Sequence, residues 1–222
     1  MKTIAVIPAY NEATVIGDVV GACREYVDTV LVVDDCSADR TAEAARLAGA
    51  QVLRHPLQRG AGRATATGLV AALKLGADVI VTLDADGQHL PSEIPGVAAP
   101  VKEGRADLVV GCRHLKREEM PLIRRLGNRF ANLWTWLILG VSVSDTQSGF
   151  RAYSRTAAIK LPLSARGYGF CSHTLGEAAR LKLRVAEVPI TVIYTDYSKS
   201  KGQSLGASLR TLGRIAKEGL RS

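Results

Sequence analysis

Short β-branched apolar runs alternate with helical periodicity through the first half of the chain. Thr3 to Ile7 and Thr29 to Val33 read as buried strands, Gln51 to Leu53 as a short third, and Val79 to Leu83 and Leu108 to Val110 as two more. Between them, Glu12 to Glu25, Arg40 to Ala48, Gly62 to Leu75 and Ser92 to Glu103 carry apolar residues at helical spacing. Continuously apolar strands separated by helices predict an α/β fold, a mostly parallel sheet flanked by helices on both faces. Asp39 is expected to cap the second helix, and Ser92 with nearby acids to open the fourth. In such sheets ligands bind beyond the carboxyl ends of the strands, so the residues just after each strand are where chemistry is expected.

The second half is patterned differently. Residues 121–139 read as one long helix, with Ile123, Leu126, Phe130, Leu133, Trp134 and Leu137 on one face. Arg124, Arg125, Asn128, Arg129 and Asn132 share the other face. A polar loop, Ser144 to Ser148, leads to a short strand, Gly149 to Tyr153, and then to a helix at Ser172 to Leu181. Val185 to Val188 and Ile190 to Tyr194 suggest two strands broken by Pro189. The tail from Leu205 is amphipathic, with Arg210, Arg214, Lys217 and Arg221 at helical spacing.

Composition narrows the field. A chain of 222 residues is long enough for one domain with a full core. No run approaches the roughly 18 apolar residues of a membrane span. The N-terminal apolar run is too short for a signal peptide and stops at Pro8. The four cysteines are scattered without a C-x-x-C pair, which argues against zinc and against a disulfide framework and fits a reducing cytosol. The 29 Lys and Arg outweigh the 21 Asp and Glu, for a net charge of +8, so an anionic partner is expected. Only 5% of residues are aromatic, and no RNA-binding or zinc-finger signature is present, which argues against a nucleic-acid-binding module.

Three polar clusters follow three strands: Pro8-Ala9-Tyr10-Asn11-Glu12, Asp34-Asp35-Cys36-Ser37 and Asp84-Ala85-Asp86-Gly87-Gln88-His89. Asp is common at strand ends as a turn former, and one such cluster would mean little. Three on one sheet edge repel one another unless a cation or a donor-rich ligand is present. An Asp-x-Asp turn offers two hard oxygen donors, which suits Mg²⁺ or Mn²⁺ held by few protein ligands plus phosphate oxygens. Arg59-Gly60-Ala61-Gly62-Arg63 is glycine-rich and opens a helix, but it lacks the Gly-Lys-Ser/Thr of a Walker loop and reads as a structural turn.

The ordered set Ile7 to Glu12, Val33 to Thr41, Asp84 to His89 and Ser148-Gly149-Phe150-Arg151-Ala152-Tyr153 resembles the signature blocks of family 2 glycosyltransferases with the GT-A fold. Within that family the chain is similar to the dolichol-phosphate mannosyltransferase and polyprenyl-phosphate glycosyltransferase branch, from Thr3 to about Gln203. The resemblance implies an inverting hexosyltransferase that uses a nucleotide-sugar of the GDP-mannose or UDP-glucose type and a lipid-phosphate acceptor. It implies that Pro8, Tyr10, Glu12, Asp34 and Asp35 cradle the nucleoside, and that Asp84, Asp86 and Gln88 hold the metal. Arg113 and Arg124 fall where phosphate-binding arginines sit, Asn128 falls where the family often has serine, and Thr195 replaces an arginine of the mannosyltransferases for which Lys199 or Lys201 would compensate. His173 stands where related sequences often carry Glu. The whole of 1–222 is expected to be a single GT-A domain, with a nucleotide-sugar and metal half at 1–112 and an acceptor half at 113–222.

A phosphate nucleophile is already ionised and needs positioning rather than a base. A hydroxyl acceptor would need one, and Asp145 and His89 are the candidates. Asp145 reads rather as a loop hydrogen-bond acceptor, His89 as a turn cap or a support of the metal loop, and Arg151 as a structural cation paired with an acidic cluster. The Trp134-to-Leu139 end of the helix at 121–139 reads either as ordinary core or, with the arginine face, as a surface lying against a bilayer; a lipid-phosphate acceptor fits the second reading, so peripheral membrane action from the cytoplasmic side is expected. Competing readings are transfer to a soluble hydroxyl, a sugar-phosphate nucleotidyltransferase, and a catalytically weak nucleotide-sugar binder. The nucleotidyltransferase would carry a basic glycine-rich loop directly after the first strand, where this chain has Ala9-Tyr10-Asn11-Glu12.

Overall fold

The computed structural model describes residues 1–113, 143–162 and 170–193. The expected long helix at 121–139, the amphipathic tail from Leu205, Thr195, and the proposed phosphate ligands Arg124, Asn128 and Lys201 lie outside them. The described chain runs β1 (Thr3–Ala9), α1 (Ile16–Cys23), β2 (Thr29–Asp34), α2 (Thr41–Leu47), β3 (Gln51–Arg54), α3 (Ala61–Lys74) and β4 (Val79–Thr82). A 3-10 turn at Pro91–Glu93 leads into α4 (Ile94–Lys102) and β5 (Leu108–Arg113). After the described loop from Val143 come β6 (Arg151–Ser154), α5 (Arg155–Lys160), α6 (Phe170–Arg180) and β7 (Val185–Ile190).

The strands form one seven-stranded sheet in the order β3-β2-β1-β4-β6-β5-β7. All pairings are parallel except those of β6, which runs antiparallel to both β4 and β5. The carboxyl ends of β1, β2, β3, β4, β5 and β7 therefore emerge at one edge, where β6 begins. The chain reverses its direction of travel across the sheet between β1 and β4, which opens a crevice at that edge.

Alternation within the strands sends side chains to two cores. Ala5, Ile7, Val32 and Val81 pack with Ile16 and Val20 of α1 and with Val97 and Val101 of α4. Ile4, Val6, Leu31 and Ile80 pack with Leu69 and Ala72 of α3, Ala157 of α5 and Leu175 of α6. Each fully buried Val, Leu or Ile among them contributes roughly 1.5–3 kcal/mol. α3 approaches closely because Gly68 has no side chain: a Cβ there would stand 2.2 Å from Val6 Cγ1.

Three local expectations need correction. Arg40, not Asp39, is the N-cap of α2, although the Asp39 carboxylate still accepts the Thr41 amide at 3.0 Å. Ser92 makes no cap; it sits inside the 3-10 turn, whose N-cap is Leu90 and whose first residue is Pro91. Pro189 does not divide β7, which stays continuous through it with Pro189 opposite Cys112. β7 is the outer strand of the described sheet, and a proline is tolerated there because one side of an edge strand makes no ladder bonds.

Candidate active site

The three polar clusters meet at the carboxyl edge of the sheet. The loops after β1 and β2 are stitched together by side chains: the Asn11 amide donates to Ser37 Oγ at 3.0 Å, and Ala38 N–H to Asn11 Oδ1 at 2.8 Å. The Glu12 amide donates to Thr41 Oγ1 at 2.8 Å. A cavity of about 250 Å³ opens beside this seam, lined by Pro8, Ala9, Tyr10, Asp35, Gln58, Gly60, Ala61 and Ala64. Tyr10 is exposed at its rim.

Asp35 is the hub of that cavity. It is 2% exposed, and its carboxylate accepts the amides of Arg59 (2.9 Å) and Gly60 (2.6 Å) and the imidazole Nδ1 of His55 (2.7 Å). His55 Nε2 in turn lies 3.0 Å from Thr67 Oγ1. The glycine-rich turn at 59–63 is thus structural, as expected, and it also forms one wall of the cavity. Asp34 is placed differently from Asp35. Its carboxylate is fully buried, accepting the Ser37 amide at 3.0 Å and pairing with Arg54 Nε at 3.1 Å, so it braces the loop and does not line the cavity.

The loop after β4 carries the Asp-x-Asp pair. Asp84 is exposed and Asp86 half-buried. Burial raises the Asp86 pKa, and the charges of Asp84 and Glu12 push it further, against the Gln88 amide and His89. Gln88 enters through its backbone: its amide donates to Asp86 Oδ1 at 3.0 Å, and its carbonyl accepts the Ile193 amide at 2.9 Å. His89 is buried, its Nδ1 3.4 Å from the Asp84 amide and its ring 5.2 Å from that of Phe150. It caps the turn, and its Nδ1 also stands 3.9 Å from the Asp84 carboxylate.

These donors fit a divalent cation of the Mg²⁺ or Mn²⁺ kind. They are hard oxygens crowded so that their charges oppose one another, a cost that a cation relieves. Among the described residues no three His, Cys, Asp or Glu side chains form a ready-made metal cage. Two carboxylates with the remaining positions left to phosphate and water is how Mg²⁺ is usually held.

Arg113 ends β5 at the same edge. Its Nε and Nη2 donate to the two carboxylate oxygens of Asp145 at 2.5 and 2.9 Å. Burial pushes the Asp145 pKa up, but the Arg113 hydrogen bond, its charge and two backbone amides outweigh this and hold it below the ordinary value. A carboxylate so held is a poor base. Ser144, just before it, donates its hydroxyl to Glu187 Oε1 at 3.0 Å. Arg151 is a further correction. It is 1% exposed and donates to the carbonyls of Thr146, Ser148 and Cys171, so it clamps backbone and does not pair with an acidic cluster. His173 lies exposed in the first turn of α6.

Sequence reasoning missed His55, Thr67, Gln58 and Ala64, and the steric role of Gly149 developed below. A lone histidine at a strand exit carries no pattern. The glycines at 60 and 62 were visible, but only the fold brings them against Asp35.

A doubly flanked, mostly parallel sheet with an Asp-x-Asp loop and a nucleoside-sized cavity at its carboxyl edge defines a nucleotide-sugar transferase architecture. Residues 4–161 match the family model for glycosyl transferase family 2, and the chain belongs to that family. It is 36% identical over 233 residues to UDP-N-acetylglucosamine–dolichyl-phosphate N-acetylglucosaminyltransferase of Methanococcus voltae, covering 95% of this chain and 93% of the relative. It is 34% identical over 214 residues to undecaprenyl-phosphate mannosyltransferase of Micrococcus luteus, covering 90% and 87%. Among solved structures, glucosyl-3-phosphoglycerate synthase from Mycobacterium tuberculosis in complex with Mn²⁺ and UDP-glucose matches with a TM-score of 0.71 at 25% identity, covering 99% of this chain and 76% of that one. The same synthase has also been solved with Mg²⁺ and UDP.

Proposed function

We propose that this chain transfers a hexose, with inversion, from a nucleotide-sugar to a polyprenyl or dolichyl phosphate at a membrane surface. The observation that carries the reading is the Arg113–Asp145 pair at the same sheet edge as Asp84 and Asp86. On this reading the pair supplies a guanidinium for an anionic acceptor, and it takes Asp145 out of service as a base. Relatives named for polyprenyl phosphate acceptors, one of them a dolichyl-phosphate N-acetylglucosaminyltransferase, support the same acceptor class.

On this reading the cavity beside Asp35 receives the base and ribose, with Tyr10 against the base. Asp84 and Asp86 hold Mg²⁺ or Mn²⁺, and Gln88 shapes their loop. When bound, the metal neutralises the diphosphate and makes it a better leaving group. Arg113 orients the acceptor phosphate, whose oxygen attacks the anomeric carbon from the face opposite the nucleotide. The C1–O bond to the diphosphate breaks as the new C1–O bond forms, and no proton is removed. Arg124, Asn128 and Lys201 would complete the phosphate site. Residues 1–112 would serve the donor and 113–222 the acceptor. Approach to the lipid would be peripheral, through the basic, Trp-bearing sequence at 121–139; among the described residues no helix is long and apolar enough to cross a membrane.

The test is product analysis with radiolabelled UDP- and GDP-sugars, Mn²⁺ and polyprenyl phosphate in vesicles. Lipid-linked sugar plus nucleoside diphosphate is expected. Sugar found only on a soluble hydroxyl acceptor, or release of pyrophosphate, would overturn the reading.

A further inference from the structure

The block Ser148-Gly149-Phe150-Arg151 stands out in the sequence, yet none of its side chains touches the cavity. It lies directly beneath the aspartate loop. A Cβ on Gly149 would stand 2.3 Å from Asp84 Oδ1 and 2.8 Å from both Cγ and Oδ2. The whole Asp84 carboxylate therefore rests over the bare Cα of Gly149, in space that any side chain would fill. The bed itself is fixed from several sides. Gly149 O accepts the Thr82 hydroxyl at 2.7 Å, across from the end of β4. Phe150 O accepts the Gly111 amide at 2.8 Å, and the Phe150 ring packs on His89 at 5.2 Å, whose Nδ1 faces the Asp84 amide. Arg151, fully buried, ties down the carbonyls on either side, of Thr146, Ser148 and Cys171.

The geometry points to Gly149 as a positioning residue for Asp84: the missing side chain sets where the carboxylate stands, and through it the affinity for the divalent cation. This rests on the assignment of Asp84 as a metal ligand. The three atoms nearest to such a Cβ all belong to the Asp84 carboxylate, the far end of a side chain that is 50% exposed. A methyl group at 149 is therefore accommodated by swinging Asp84 outward, with the backbone left in place. The fold should survive while the donor set is lost. Asp86 alone would then face the cation, with one hard oxygen ligand fewer.

The experiment is Mn²⁺ binding followed by electron paramagnetic resonance on the full chain with saturating UDP or GDP, for Gly149→Ala, Asp84→Ala and the double variant. Gly149→Ala is expected to weaken Mn²⁺ binding at least about ten-fold, the usual scale for losing a residue that orients a metal ligand. Its melting temperature should stay near that of the parent chain. In the Asp84→Ala background the same substitution should change nothing, because the two act as one unit. Equal weakening in both backgrounds, or none in either, overturns the role of Gly149. An Asp84→Ala variant that binds Mn²⁺ like the parent overturns instead the assignment of Asp84 as a ligand. Should Gly149→Ala fail to fold, Thr82→Val loosens the bed by removing the strap to Gly149 O. It should weaken Mn²⁺ binding by a smaller factor, again only when Asp84 is present.

Discussion

His55 Nδ1 donates to the Asp35 carboxylate at 2.7 Å, and that carboxylate also gathers the amides of Arg59 and Gly60. One buried imidazole thus fixes the wall of the cavity proposed for the nucleoside without lining it. A carboxylate oxygen only accepts, so the Nδ1 carries a proton, and Thr67 Oγ1 serves Nε2 from the other side. His55→Ala leaves Asp35 short of one buried partner, a loss of about 1.5–3 kcal/mol for a bond to a charged group. The expected result is a rise of about ten-fold or more in the donor KM and in the Kd of the nucleoside diphosphate, with kcat little changed. His55→Asn can still donate from near the Nδ1 position and should recover part of the affinity. Calorimetric titration with UDP and GDP checks this, and an unchanged Kd in His55→Ala would refute it.

Arg113 and Asp145 should act on the acceptor and not on the donor. Arg113→Lys keeps the charge but loses the planar fork that meets Asp145 at both oxygens. We expect kcat/KM for the lipid phosphate to fall by about one to two orders of magnitude, roughly 1.4–2.8 kcal/mol, with the donor KM unaffected. Asp145→Asn should be milder than Asp145→Ala, because the amide still accepts from the guanidinium. Were Asp145 a general base, Asn and Ala would be equally damaging and the loss would fall on kcat alone. Steady-state kinetics with each substrate varied in turn separates the two outcomes.

The strands and helices of the first half were legible because their signal is local: β-branched runs of four to seven residues, such as Val79 to Thr82, each closed by a polar turn. The polar clusters were legible for the same reason, since Asp84 and Asp86 sit two residues apart. What stayed hidden depends on the third dimension. Asp34 and Asp35 are adjacent and chemically identical, yet the strand pleat sends one to Arg54 and the other to His55 and the cavity edge. Antiparallel insertion of β6 between β4 and β5 brings Gly149 under Asp84, 65 residues earlier in the chain. No periodicity in the sequence encodes that insertion.

Lys182 closes α6 in the left-handed region, at φ 53°. Its amide reaches Ala179 O at 2.9 Å, and the Leu183 amide reaches Ala178 O at 2.9 Å, the paired bonds of a Schellman ending. Glycine takes that conformation without the penalty of about 1–2 kcal/mol that a side chain incurs, offset in part by its greater freedom when unfolded. Lys182→Gly should therefore stabilise the chain by up to about 1 kcal/mol, on the far side of the sheet from the aspartate loop. Cys36, at φ 65° in the loop after β2, carries the same strain. Cys36→Gly should stabilise similarly but also loosen the wall next to Asp35. Urea denaturation measures both, and donor affinity should change only in Cys36→Gly.

Asp107, at the opposite edge of the sheet, supplies a pH-dependent strap between β5 and β7. Its Oδ1 and Oδ2 each accept from the Arg184 guanidinium at 3.0 Å, and Oδ2 accepts the Arg184 amide at 2.9 Å. The side-chain hydrogen bond from Arg184 is the main reason its pKa lies below the ordinary carboxylate value, outweighing burial. A depressed folded pKa means the unfolded chain binds the proton more readily. The stabilisation is therefore complete above the unfolded pKa, near 3.9, and disappears as the pH falls through the lower folded value. Asp107→Asn keeps an acceptor for the Arg184 amide but removes the charge. Its urea midpoint should lie below that of the parent at neutral pH, and the gap should close as the pH is lowered beneath about 3.9. A gap that persists at acid pH would mean that shape, and not charge, makes Asp107 useful there.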